Sequence, residues 1–151
     1  MSAMKTPSPL IILRDLAQDA VEQAAQQLGL ARQAQQAAEQ QLSLLLNYQD
    51  EYRHKLNSTL CDGMGSASWQ NYQQFIGTLE QAIVQHRHHV LQWNEKVTHA
   101  AKHWQDKQQR LNAFDTLHTR ALSAEQVLEN KRDQKLMDEF AQRSAHRNLA
   151  Q

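Results

Sequence analysis

The chain has 151 residues, with sixteen basic and sixteen acidic side chains and a formal net charge of zero. That length is one domain's worth, and the balanced charge gives no reason to expect a DNA, RNA or anionic-membrane partner, because such binders carry a basic face. Both prolines, Pro7 and Pro9, precede the first apolar run, and alanine and glutamine, which favour helix, are abundant, so long helices are expected.

In chain order, residues 1–9 read as a flexible N-terminus ending in Ser8-Pro9, a good N-cap and first-turn pair. The longest apolar run is about Leu10 to Leu13, far short of the roughly 20 residues a membrane span needs. A first arm then spans about 10–59. Its apolar seam of Ala24, Leu28, Ala31, Gln35, Ala38, Leu42, Leu45, Gln49, Tyr52 and Leu56 alternates steps of three and four, the signature of a coiled coil. Upstream, Leu10, Leu13, Ala17 and Ala20 join this rhythm through one extra four-residue step, a phase shift.

Gly63 and Gly65 place a loop at about 60–67, with Ser66 or Ser68 available to cap a second helix. The second arm, about 68–147, carries the cleaner seam. Trp69, Tyr72, Ile76, Leu79, Ile83, His86, Val90, Trp93, Val97, Ala100, Trp104, Lys107, Leu111 and Phe114 step without a break. Two helices with opposed seams and a short loop pack antiparallel. The expected fold is therefore all-α: a long antiparallel two-helix coiled-coil hairpin forming a single domain over residues 10–147, with a tail at 148–151. Folding about residues 63–65 sets Leu10 roughly opposite residue 117, so the second arm overhangs. The overhang keeps an apolar edge in Val127, Leu128, Leu136, Met137 and Phe140, which reads as a docking segment.

Five of the nine aromatic residues, Tyr48, Tyr52, Trp69, Tyr72 and Phe75, gather around the loop. A stripe of Gln41, Leu45, Tyr48 and Tyr52 runs beside the first seam, and Phe75, Leu79, Ala82 and His86 run beside the second. A two-stranded seam cannot bury both. The surplus fits either a protein interface or shielding of a thin hairpin end, and spacing leaves both open.

No chemistry of catalysis emerges. His86 with His89, and His99 with His103, could each hold one edge of a metal, but no third ligand accompanies them. A pH response at the seam residue His86 is more natural, as imidazole titrates near pH 6.5. No phosphate-cradling glycine loop is present, and a two-helix coil offers no enclosed pocket. Cys61, the single cysteine, cannot form an intrachain disulfide, which suits the cytosol. No catalytic residue, metal or cofactor is expected.

The segments "NYQDEY" (Asn47 to Tyr52), "NYQQFIGTLEQAI" (Asn71 to Ile83), Trp93 and "MDEFAQR" (Met137 to Arg143) resemble the flagellar type III export stalk family, FliJ, and the similarity runs from about Leu10 to Arg147. The resemblance implies an antiparallel coiled coil like the stalk of rotary ATPases. It implies three kinds of partner: a hexameric flagellar export ATPase ring, the cytoplasmic domain of the export gate, and export chaperones. By that resemblance Gln41, Leu45, Tyr48, Tyr52, Phe75, Leu79, Ala82 and His86 form the gate-binding surface. Leu128, Leu136, Met137 and Phe140 face the ATPase. The implied location is cytoplasmic, against the inner-membrane face of the flagellar basal body through protein partners, with no nucleic acid and no direct membrane insertion. His88, His89, His99 and His103 receive no role. A rival from another class is a passive helical chaperone or scaffold for secreted subunits, and a third possibility is self-association through the overhang. One unbroken seam favours the extended stalk.

Overall fold

The computed structural model describes residues 8–63 and 65–150; most of the expected flexible N-terminus, residues 1–7, and the last tail residue lie outside the described residues. Two helices account for nearly all of it: α1, Pro9–Asp62, and α2, Ser66–Leu149. They pack against each other as a helical hairpin, with no strand among the described residues.

Local chemistry explains the ends. Ser8 caps α1, its hydroxyl accepting from the Leu10 amide at 3.2 Å, and Pro9 occupies the first helical position, where a missing N–H costs nothing. At the other end Gly63 takes φ of 84°, the left-handed turn that stops a helix and that a Cβ would oppose. The turn is tighter than expected. Gly65, whose carbonyl accepts from the Trp69 amide, holds the cap position of α2, so Ser66 and Ser68 are already helical instead of capping.

The contacts divide the hairpin into two compact units. The unit containing the turn comprises residues 22–106, and its seam is the one expected. Ala24, Leu28, Ala31 and Ala38 on α1 are buried, as are Leu79 and Ile83 on α2, and the remaining expected seam positions are buried or half-buried. Ala24 and Ala38, 1% and 2% exposed, are the tightest points. A side chain ending at Cβ leaves room for the larger seam residues of the facing helix to close over it. Across this seam Gln35 Nε2 donates to Asn94 Oδ1 at 2.7 Å.

The second unit holds the described residues of α1 up to Val21 and those of α2 from Lys107 onward. Here the expected phase shift is absent. Ala17 and Val21 are buried and Arg14 is half-buried, whereas Leu13 is exposed. The seam of α1 therefore runs Leu10, Arg14, Ala17, Val21, Ala24 with no extra step. The sequence disguised this because a guanidinium stands where an apolar residue would be looked for. Arg14 pairs with the Asp115 carboxylate of α2 through its Nε, and that hydrogen bond, with the accompanying charge attraction, raises its pKa further above an already high value. On α2 the seam extends through Leu111 and Phe114 to His118, one step beyond its expected end.

Arg14 with Asp115 and Gln35 with Asn94 each add to 129, so one antiparallel register holds in both units. The same register sets Pro9 opposite residue 120. From residue 121 to residue 143 every side chain of α2 is exposed. The overhang foreseen in the sequence is thus present, beginning about three residues later.

Candidate protein-binding surfaces

Two surfaces carry more apolar area than the seam consumes. The first flanks the turn. Tyr52 of α1 reaches across to α2, its ring centroid 4.3 Å from that of Phe75 and 5.9 Å, edge-on, from that of Tyr72. Gln41 and His86 meet in a shallow groove of about 290 Å³, completed by Gln85 and His89. These two crossings, one at each end, put the α1 stripe and the α2 stripe on the same side of the hairpin. The structure therefore brings the eight residues together as one surface but gives them unequal parts. Tyr48 is 53% exposed and Phe75 41%, while Gln41 is also open to water. Leu45, Tyr52, Ala82 and His86 are half-buried, and Leu79 is sealed in the seam. Leu79 supports this surface and does not present it, because its position belongs to the seam as well as to the stripe. The two readings left open by spacing divide by residue: Tyr52 with Tyr72 closes the hairpin end, and Tyr48 with the outer part of Phe75 faces solvent.

His86 carries a buried Nδ1 with no hydrogen-bond partner. Its ring stands edge-on to His89, whose Nε2 accepts from Trp93 Nε1 at 3.2 Å. The Lys96 ammonium lies 4.3 Å from the Trp93 ring centroid. Among the described residues no group of three His, Cys, Asp or Glu side chains could hold a metal ion. Cys61 is exposed.

Sequence reading missed the opposite side of this unit, where Leu42, Leu46, Val90 and Leu91 with Arg87 line a groove of about 350 Å³. The signal was present in Leu44, Leu45 and Leu46, three consecutive leucines that no single helix face can bury.

The second surface is the unpaired end of α2. Leu128, Leu136, Met137 and Phe140 are all exposed. Leu136 and Phe140 lie about one turn apart on one face, with Leu128, eight residues before Leu136, about 80° round the helix. They form a broad apolar end, not a narrow stripe. No helix among the described residues is long and apolar enough to cross a membrane.

Comparison with known proteins identifies the family. The family model described as "Flagellar FliJ protein" matches residues 4–150. The flagellar FliJ protein of Escherichia coli strain K12 is 52% identical over 138 residues, covering 91% of this chain and 94% of the relative. That of Salmonella typhi is 52% identical over 135 residues, covering 89% and 92%. The flagellar FliJ protein of Buchnera aphidicola is 35% identical over 79 residues, about half of each chain. A near full-length family match and two relatives more than half identical lead to one conclusion: the chain belongs to the flagellar FliJ family, a component of flagellar protein export.

Proposed function

We propose that this FliJ protein is a non-enzymatic coiled-coil stalk that docks into the hexameric flagellar export ATPase, promotes ring assembly and hydrolysis, and links the ring to the export gate. One observation carries the reading: α2 continues for about 29 residues past its last α1 partner, exposing Leu128, Leu136, Met137 and Phe140 to water. Most helical stability in proteins comes from packing an apolar face, which this stretch lacks within the chain, and its uncovered apolar side chains gain from burial against a partner. The surface beside the turn, in the other unit, is free to meet the cytoplasmic domain of the gate. Export chaperones are the third class of partner. The protein sits in the cytoplasm, held near the inner-membrane face of the basal body by its partners, and any nucleotide is bound by the ATPase.

The direct test titrates the full chain into the cognate export ATPase while hydrolysis and ring formation are measured in the same samples. A saturable rise in both is expected. A flat response with competent ATPase subunits favours the passive chaperone or scaffold reading.

The exposures at the turn sharpen a second test. Tyr48→Ala with Phe75→Ala is expected to weaken binding to the gate's cytoplasmic domain by tenfold or more, about 1.4 kcal/mol, with far-UV circular dichroism nearly unchanged. Tyr48 is the cleaner probe of the two, since Phe75 also packs on Tyr52. A loss of helix in the Tyr48 single variant would show that its ring is structural.

A further inference from the structure

Beside the seam of the unit that holds the chain ends lies a groove that neither proposed docking surface uses. Leu13, Leu16, Ala17 and Ala20 of α1 form one wall and Phe114 of α2 the other, enclosing about 210 Å³, with Lys107 and Arg110 at one end. The alanines leave a notch where larger residues would have filled the wall. Leu16 stands exposed above it, and Leu117, one step along α2, is 49% exposed.

The notch continues as a row. Phe114, Leu117, Ala121 and Ala124 step by three, four and three along α2, the spacing that an apposed helix requires. The first arm covers none of Leu117, Ala121 or Ala124. This row is distinct from the α1-facing seam, which passes through Leu111, Phe114 and His118. It resembles a prepared position for a third helix.

Charge decides which helix. Arg110 and Lys107 stand at one end of the row, and Lys131 and Arg132 lie just beyond the other. Asp106 and Glu125 on α2 and Asp19 at the rim of the α1 wall are the carboxylates near it, fewer than the basic groups Lys107, Arg110, Arg120, Lys131 and Arg132. A second copy of this chain pairing through the same row about a two-fold axis would run either parallel, setting Arg110 and Lys131 each against its own mate, or antiparallel about an axis near Ala121. The antiparallel arrangement brings Arg110 of one copy against Lys131 and Arg132 of the other, so in both a like-charge contact opposes association. A helix with apolar residues at three-four spacing and carboxylates toward both ends meets neither obstacle.

We infer that the groove between the start of α1 and residues 107–124 of α2 is a docking site for an acidic amphipathic helix of a partner protein, which completes a local three-helix bundle. The groove itself, lined up to Phe114, stands on the paired part of the hairpin and does not depend on the ring reading, while the row continues from it through Ala121 and Ala124 into the overhang.

The test uses the full chain and two labelled designed peptides. Each has about 20 residues and leucines at three-four spacing; one carries glutamates and the other lysines at the flanking positions. Fluorescence anisotropy is expected to show the glutamate peptide bound at least tenfold more tightly than the lysine peptide, with affinity falling as salt rises. Leu117→Glu is expected to abolish this binding. Arg110→Glu with Lys131→Glu is expected to reverse the preference between the peptides, which a mere loss of folding could not do. Equal binding of both peptides, or unchanged binding by Leu117→Glu, would overturn the site. Concentration-dependent dimerisation in sedimentation, abolished by Leu117→Glu, would replace the acidic helix with a second copy and overturn the proposal. Leu117→Glu is also expected to leave stimulation of the export ATPase within twofold. Loss of stimulation would make the ring itself the occupant and overturn the groove's independence.

Discussion

A chain ending at Arg120 is expected to lose stimulation of the export ATPase while the hairpin that remains keeps its structure. The expectation rests on where contacts stop. His118 is the last half-buried seam residue of α2, and every side chain from 121 to 143 is exposed. Removing the overhang therefore removes no packing against α1, and the melting temperature of the remainder should barely change. It does remove Leu128, Leu136, Met137 and Phe140 together, which fully buried would contribute about 1.5–3 kcal/mol each to a docked state. Losing several such contacts is enough to abolish a measurable complex. Hydrolysis assays of full-length and shortened chains, with far-UV circular dichroism on both, separate the two effects. Full stimulation by the shortened chain would sink the docking role of the overhang, whatever the rest of the hairpin does.

The second large effect concerns the hairpin itself, and two adjacent residues illustrate it. Ile83 is 5% exposed on the α2 seam, while Val84, its neighbour, is 66% exposed. Ile83→Ala removes buried methyl groups from a position the register sets opposite Leu46 and leaves a space that the surrounding side chains fill only in part. Core truncations of this kind cost about 2–5 kcal/mol. That is a large part of the roughly 5–15 kcal/mol that holds a typical domain folded. Val84→Ala takes nothing from the seam and exchanges a β-branched residue for the best helix former, so a change within about 0.5 kcal/mol is expected. Urea unfolding of the two variants beside the parent measures both. Similar midpoints would mean that the seam does not hold this unit together.

Most of the architecture was legible because coiled-coil burial obeys a strict period. All fourteen expected α2 seam residues, from Trp69 to Phe114, are buried or half-buried. The overhang came from arithmetic alone, since a turn near residue 64 leaves the longer arm without a mate. What failed was the start of α1. The period was present there too, but Arg14 occupies a seam position and Leu13 next to it is apolar, so apolarity drew the eye to the wrong residue. The ion pair with Asp115, 101 residues away, is what makes Arg14 acceptable at that place, and no local pattern can reveal it. The site was legible at coarser grain. Spacing identified the residues beside the turn and set Tyr48 off the seam, but could not tell that Leu79 is sealed while Leu45, Tyr52 and His86 are half-buried, because positions shared by seam and stripe look alike on a helical wheel. The groove beside Phe114 went unnoticed for a different reason: its depth comes from Ala17 and Ala20, small residues that do not announce a hollow, and a hollow is visible only when both walls are in place.

The alanines of α1 bear on how the two helices stay aligned. Ala17, Ala24, Ala31 and Ala38 recur every seven residues, and all are buried. Such a track is shallow: every second tooth is one methyl group, with Val21 and Leu28 the larger buried residues between, and a shift of the facing helix by a full repeat would meet the alanines again. Interlocking shape therefore does little to index one helix against the other along this stretch. Indexing falls instead to polar contacts that cannot be satisfied one repeat away, Gln35 with Asn94 and Arg14 with Asp115. Closeness and alignment are thus assigned to different residues, and sequence drift in the alanines would alter how tightly the helices grip without altering where they grip.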